Sequence, residues 1–350
     1  MRQSLCVFTL GLCCFSMDIG GGLGADEPAG KVIRAGMIGL DTSHVPAFTK
    51  IFNDDAAEGR FARVRIVAGY PGGTDLPASK DRVEGFTEQV REMGVEIVSS
   101  IDELLKKVDV VLIESVDGRI HLAEAIPVLL AGKPLFIDKP VAGSLADAIA
   151  IYQLAEKQGV PVFSSSSLRY SPTFQALLGD EGLGDIVGAI TWGPCAYQEG
   201  TPDLFFYGVH GVEVLYTLMG TGCQTVTRVH TEGTDVVTGV WDDGRVGTFR
   251  GLRQGKASFG TVAFGTKGIR SAERSGNYRE LCDEIAKFFL SGEPPVDPST
   301  TIELFAFMEA ADESKRQGGK PVELEPIVKA ATREAAGRLD ELTRGLPTGQ

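Results

Sequence analysis

The chain has 350 residues, 43% of them hydrophobic and 23% charged, with a formal net charge of −13 from 34 Lys and Arg against 47 Asp and Glu. That length provides for two domains of ordinary size, each with its own core. The acidic balance, with no offsetting block of lysine or arginine, excludes nucleic acid and anionic membrane as partners.

The first segment stands apart. One basic residue, Arg2, precedes the apolar stretch Ser4–Met17, and a glycine run then leads to Leu23-Gly24-Ala25, a small-residue cleavage site. Ser4–Met17 is too short for a transmembrane anchor, so residues 1–25 read as a secretory signal peptide and the protein as exported, to the periplasm or cell envelope. Removing that segment leaves Cys195, Cys223 and Cys282. No two of them lie at metal-ligand spacing and no metal is assigned; they read as buried or free thiols with at most one disulfide.

From Val32 onward, short apolar strands alternate with helical stretches. Strands are expected over Val32–Ile38, Val64–Gly69, Val95–Val98, Val108–Ile113, Pro134–Ile137 and Val160–Ser164. Helices over Pro46–Asn53, Lys80–Met93, Ile101–Lys107, Ile120–Ala131 and Leu145–Gln158 connect them. Continuous apolar strands joined by helical crossovers predict a parallel sheet covered on both faces, a Rossmann-like doubly wound domain over residues 31–165. Beyond Ser164 the strands Val187–Trp192, Gln224–Thr231, Asp235–Trp241, Arg245–Leu252 and Ala257–Phe264 follow with little helix between them. Asp242-Asp243-Gly244 supplies a hairpin turn. With helices over Gly208–Met219, Tyr278–Leu290 and Thr301–Arg316, these strands predict a second α/β domain over residues 166–324. Its open, largely antiparallel sheet would carry helices on one face only, leaving the other for substrate or self-association. Residues 325–350 read as a charged helix, Ile327–Leu342, and a tail.

The stretch from 38 to 48, Ile-Gly-Leu-Asp-Thr-Ser-His-Val-Pro-Ala-Phe, follows the first strand, where a dinucleotide-binding chain carries its glycine-rich phosphate turn. Asp41 adds bulk and charge there. A carboxylate ~4 Å from a phosphate is repelled by roughly 4 kcal/mol at an effective dielectric of ~20. The helix N-terminus and the Thr42 and Ser43 hydroxyls suit a phosphate. Asp41, Thr42 and Ser43 equally suit plain N-capping, and both readings stay open.

Several motifs, in order, resemble the Gfo/Idh/MocA oxidoreductases. Ala-Gly-Lys-Pro-Leu-Phe-Ile-Asp-Lys-Pro-Val-Ala at 131–142 is similar to that family's Glu-Lys-Pro strand end, with Asp138 for the usual Glu. His121 matches a family histidine, and Ser-Leu-Arg-Tyr-Ser-Pro at 167–172 resembles its Asn-Arg-Phe-x-Pro. Tyr-Gly-Val-His-Gly-Val-Glu at 207–213 resembles Gly-x-His-x-x-Asp, and Phe-Gly-Thr-Lys-Gly at 264–268 resembles the late glycine turn. The resemblance implies a bound NAD or NADP and hydride transfer with a carbohydrate or polyol, and by the same analogy a homo-oligomer. It places Lys139 between nicotinamide and substrate and makes His210 the general acid/base, which suits an alcohol that must lose a proton as hydride leaves. Gly39, Thr42, Ser43, His44, Tyr70, Asp138 and Lys139 would meet the cofactor; Arg169, Tyr170 and Glu213 would meet the substrate. Read without the family, His210 is more often a packed or capping histidine than a catalytic one, His121 packs its helix on the sheet, and Arg169 either binds a ligand or pairs with an acid.

Three departures bear on function. The turn is altered at Asp41. Tyr70 stands near the acid expected to grip the adenosine ribose, and Lys80 or Arg82 suits a 2′-phosphate, a lean toward NADP. Phe206 replaces an aspartate four residues before His210. Besides a dehydrogenase, the sequence therefore leaves open redox-assisted glycoside cleavage or epimerisation with a retained cofactor. It also leaves open a non-redox sugar-binding module on the same fold.

Overall fold

The computed structural model describes residues 31–344, so the expected signal peptide lies outside the described residues. Its elements alternate as far as Ser165: β1 (Ile33–Ile38), α1 (His44–Phe52), β2 (Val64–Tyr70), α2 (Pro77–Lys80), α3 (Val83–Glu92), β3 (Glu96–Ile97), α4 (Ile101–Leu105) and β4 (Val110–Ile113). Then come α5 (His121–Leu130), β5 (Leu135–Asp138), α6 (Leu145–Gln158) and β6 (Val162–Ser165). These six strands form one sheet in the order β3-β2-β1-β4-β5-β6, every pairing parallel. The strand order reverses between β1 and β4, where open α/β sheets collect ligands beyond the strands' carboxyl ends.

Why the strands read as unbroken apolar runs is visible in the packing. Alternate side chains leave opposite faces of a strand, and here both faces are covered. Met37, Leu112, Phe136 and Phe163 belong to one buried cluster with Val45 and Phe48 of α1. Val111, Ile113, Ile137 and Val162 belong to the other, with Leu122, Ile126, Ile149 and Ile151 of α5 and α6.

The rest of the chain runs α7 (Pro172–Leu178), β7 (Ile186–Pro194), α8 (Gly208–Met219), β8 (Cys223–His230), β9 (Thr234–Trp241), β10 (Val246–Leu252), β11 (Gly260–Gly265) and β12 (Ile269–Glu273). It ends with α9 (Arg279–Ser291), α10 (Pro298–Arg316), β13 (Val322–Glu323) and α11 (Leu324–Leu342). The second sheet is ordered β12-β11-β7-β10-β9-β8-β13. It is antiparallel apart from β7 and β10, which run parallel because the chain returns to β10 only after α8, β8 and β9. Both sheets are those expected from the sequence.

Three details differ. The helix expected over Lys80–Met93 starts only at Val83, as α3, and a separate short helix, α2, precedes it. Edge strand β12 lacks an apolar run, having the sequence Ile-Arg-Ser-Ala-Glu, and is largely exposed, which is why it does not read as a strand. Finally, α9 does not cover the second sheet: Leu281, Cys282, Ile285 and Phe288 join the Phe136 and Phe163 cluster of the first. The three cysteines among the described residues, Cys195, Cys223 and Cys282, are buried free thiols. No helix among the described residues is long and apolar enough to cross a membrane.

Candidate active site

The turn after β1 is tightly built. Gly39 has φ +83°, and a Cβ on it would lie 2.0 Å from Ser115 Oγ, so a side chain is excluded both by backbone conformation and by the end of β4. The Gly39 and Leu40 N–H groups donate to the Tyr70 and Pro71 carbonyls at 3.0 and 2.8 Å, which draws the β2 loop onto the turn. Asp41 is fully buried and points inward: it accepts from Ser79 Oγ at 2.5 Å and from the Val116 N–H at 2.8 Å. Burial raises its pKa, while Ser79 and Val116 oppose the rise. The carboxyl group thus ties the turn to α2 and to the segment after β4, and faces away from solvent. Thr42 performs the capping, its Oγ1 accepting the His44 N–H at 2.8 Å.

A cleft with a free volume of about 170 Å³ opens beside this turn. Thr42, Ser43 and His44 line it from the first sheet's side, together with Lys139 at the end of β5. His210, Tyr207 and Phe206 line it from the start of α8 and the segment before it, and Phe259, Arg274 and Tyr278 complete the wall. Lys139 Nζ stands 5.9 Å from the centre of the Tyr207 ring, and the His210 ring is centred 5.5 Å from that same ring. The two residues singled out for chemistry therefore meet around one tyrosine. His210 Nδ1 contacts Ser166 Oγ at 2.7 Å, which leaves Nε2 as the nitrogen available for proton exchange. Burial first, and then the nearby charges of Lys139 and His44, push the His210 pKa well below its ordinary value. The imidazole is neutral at physiological pH.

Other sequence-assigned residues sit elsewhere. Gly39, within the turn, and Asp138, at the end of β5, are buried and do not line the cleft wall. Half-buried Tyr70 packs against the core, its carbonyl receiving Gly39. Arg169 Nε donates to Glu213 Oε1 at 2.5 Å, and Ser165 Oγ donates to the same oxygen at 3.1 Å. This buried pair joins the segment after β6 to α8 and presents neither charge to the cleft. Tyr170 lines a separate depression with Phe61 and Arg279. His121 is buried, its Nε2 2.7 Å from the Ser115 carbonyl and its Nδ1 3.3 Å from that of Val141. It holds the loop after β4 against the segment after β5, a packing role.

The sequence reading missed Arg274, Tyr278, Ser166 and Glu114. Of these only Glu114 carried a local signal, a carboxylate directly after the apolar run that ends at Ile113. It is fully buried at the end of β4, and burial followed by the charge of Asp138 raises its pKa well above the usual range. In Asp138, burial works in the same direction, but His44, bonded to it through Nδ1 at 2.6 Å, and Lys139 outweigh it and hold the carboxyl low.

The fold and the cleft define a dinucleotide-fold oxidoreductase type: a six-stranded parallel sheet with a lysine and a histidine meeting at its switch point. Residues 73–166 match the sequence model of the Gfo/Idh/MocA family, described as an oxidoreductase family with an NAD-binding Rossmann fold. Over that stretch the chain is similar to this family. The match begins after the turn and β2, so the altered turn falls outside it. No curated protein matches the chain in sequence.

Solved structures share the fold. A scyllo-inositol dehydrogenase from Lactobacillus casei, solved with NAD(H) and scyllo-inositol, is 15% identical with a TM-score of 0.68, covering 84% of this chain and 100% of its own. GenD2 from gentamicin A biosynthesis, solved with NAD, is 17% identical with a TM-score of 0.70 over 87% of this chain and 99% of its own. A probable dehydrogenase from Thermotoga maritima is 19% identical with a TM-score of 0.67, over 84% and 99%.

The donor set on the cleft wall fits a nicotinamide nucleotide. Arg82, Lys139 and Arg274 contribute positive charge and Thr42 and Ser43 contribute hydroxyls, while the Asp41 carboxylate is turned away. Thr42, Ser43 and Arg82 on the cleft wall are the residues that could hold a phosphate, whereas the Gly39 and Leu40 N–H groups of the turn are already engaged. With about 170 Å³ of free volume the cleft is below the several hundred usual for a whole cofactor. It suits the nicotinamide end and the substrate.

Proposed function

We propose that the protein oxidises or reduces a carbohydrate, polyol or derivative with NAD or NADP, using Lys139 and His210 at the reacting centre. The observation that carries this reading is the convergence of those two side chains, from β5 and α8, on one cleft around Tyr207. A bound nicotinamide supplies the hydride acceptor. His210 takes the hydroxyl proton at Nε2; in that state Nδ1 carries the hydrogen and donates to Ser166 Oγ, which also accepts the Leu168 N–H at 3.2 Å. A neutral imidazole near physiological pH is the form required of a general base. The Lys139 ammonium stabilises negative charge developing on the substrate oxygen. Phe206, Tyr207 and Phe259 supply the aromatic part of the cleft wall. Because Phe206 offers no hydrogen bond, a substrate that presents carbon or hydrogen on that side suits the cleft better than a fully hydroxylated ring. Export, resting on the apolar segment 4–17, and self-association through the second sheet's open face belong to the same proposal.

Two measurements test it. Denatured protein should release NAD(H) or NADP(H), or the native protein should melt at a higher temperature when either nucleotide is added. The absence of both responses would sink the reading. In steady-state assays His210→Ala should lower kcat by about 10²–10⁴-fold with a much smaller change in KM; full activity would remove the histidine from the mechanism.

A further inference from the structure

We propose that His44, Glu114 and Asp138 form a binding site for one divalent transition-metal ion at the floor of the cleft. Each contributes a ligand atom, and the three atoms lie within 4.8 Å of one another. They come from the first turn of α1 and the carboxyl ends of β4 and β5, and so from both sides of the sheet's switch point.

The second observation is a set of orphaned oxygens. Glu114 is 0% exposed, yet neither of its carboxyl oxygens has a hydrogen-bond partner among the described residues, and neither does Asp138 Oδ1. Buried polar atoms are otherwise almost always satisfied, and a buried carboxylate with no donor is strongly unfavourable. One proton on this pair supplies one O–H for three orphaned oxygens. A doubly charged cation neutralises both carboxylates and engages the oxygens together.

The donor chemistry selects the ion. One imidazole with two carboxylates and no thiolate suits Zn²⁺, Mn²⁺ or Fe²⁺, whereas magnesium and calcium prefer oxygen alone. The His44 ring is already fixed, stacked on Phe48 at 5.3 Å and against Tyr278 at 4.5 Å between ring centres. The His44 Nδ1 to Asp138 Oδ2 contact of 2.6 Å would have to open, since two atoms ~2.1 Å from a common tetrahedral ion are roughly 3.4 Å apart. Alternatively, the orphaned Oδ1 serves as the ligand. His44 is the one member of the trio that lines the cleft, so an ion held here is reached from the substrate's side.

The test uses the full-length protein, stripped with a chelator, loaded separately with Zn²⁺, Mn²⁺ or Co²⁺, and desalted. One ion per chain by elemental analysis is expected, with visible d–d absorption for Co²⁺ and a melting temperature raised by several degrees. Glu114→Gln and His44→Ala should each weaken retention by at least ~10-fold. Sub-stoichiometric retention of all three ions with no cobalt band overturns the proposal, and so does undiminished retention by folded Glu114→Gln. A shared proton would then account for the carboxylates. None of these readouts involves nucleotide or substrate, so failure of the metal site leaves the oxidoreductase reading intact.

Discussion

Glu124 shows how a single side chain near the cleft sets the protein's response to pH. It lies on α5, and both of its oxygens accept from Ser115 Oγ, at 2.9 and 2.8 Å. Burial, with a smaller contribution from Asp41, raises its pKa from 4.5 to about 8. The folded protein therefore keeps a proton that the unfolded chain loses above 4.5, so stability falls as pH rises through that window and levels off above about 8. Glu124→Gln keeps an acceptor for Ser115 and removes the ionisation. Urea unfolding at about pH 5 and about pH 9 should show little change at the lower pH and a gain of about 1–3 kcal/mol at the higher. An equal effect at both would contradict the assignment. Gly39 illustrates the other kind of residue-scale constraint, since its φ of +83° and the Ser115 backbone beside it both require glycine there.

Among the elements, the second sheet is fastened to α10 by one buried arginine. Arg228 on β8 has a fully buried side chain. It donates to Asp235 of β9 at 2.8 Å, to Asp203 at 2.8 Å, and to Asp312 of α10. Burial alone would lower the pKa of this guanidinium, but the surrounding carboxylates raise it above its ordinary value. Asp235 is held at about 2: burial would raise it, but hydrogen bonds from Tyr197, Arg228 and Arg253 outweigh that. Removing one partner of such a group leaves several buried charges uncompensated, so Arg228→Ala should lose about 3–5 kcal/mol in denaturant unfolding. A loss below about 1 kcal/mol would show the network to be dispensable. The break between α2 and α3 is a smaller instance of tertiary choice: it places Ser79 to bond Asp41 and Arg82 on the cleft wall. A continuous helix over the same residues would satisfy local propensity equally well.

For the whole molecule the outstanding feature is the uncovered face of the second sheet. The strand register puts Ile190, Val240 and Val246 on the same face, each exposed by about 40% or more (39%, 41% and 47%). The opposite face, with Val237 and Phe249, is buried in the core. An apolar sheet face of this kind is where a second copy of the chain would dock. Light scattering on the purified protein should give a mass above that of one chain, and Ile190→Glu should lower it; a monomeric wild type would refute this.

Much of this protein was legible in its sequence because the relevant rules are local. Apolar runs such as Val110–Ile113 suit strands buried on both faces, and their alternation with helices points to a parallel sheet. Lys139 and His210 were singled out by resemblance to family motifs, at a strand end and a helix start. What tertiary structure decided concerns partners that are distant in sequence. His44 and Asp138 are 94 residues apart and meet only because β1, β4 and β5 end side by side. Arg169 and Glu213 carried the same motif signal as Lys139 and His210, yet they pair with each other away from the cleft wall. Helix α9 is amphipathic wherever it packs, and no feature of its own residues states that its partner is the first sheet. Periodicity specifies which face of an element must be buried; only the path of the whole chain specifies what it is buried against, and so which charges meet.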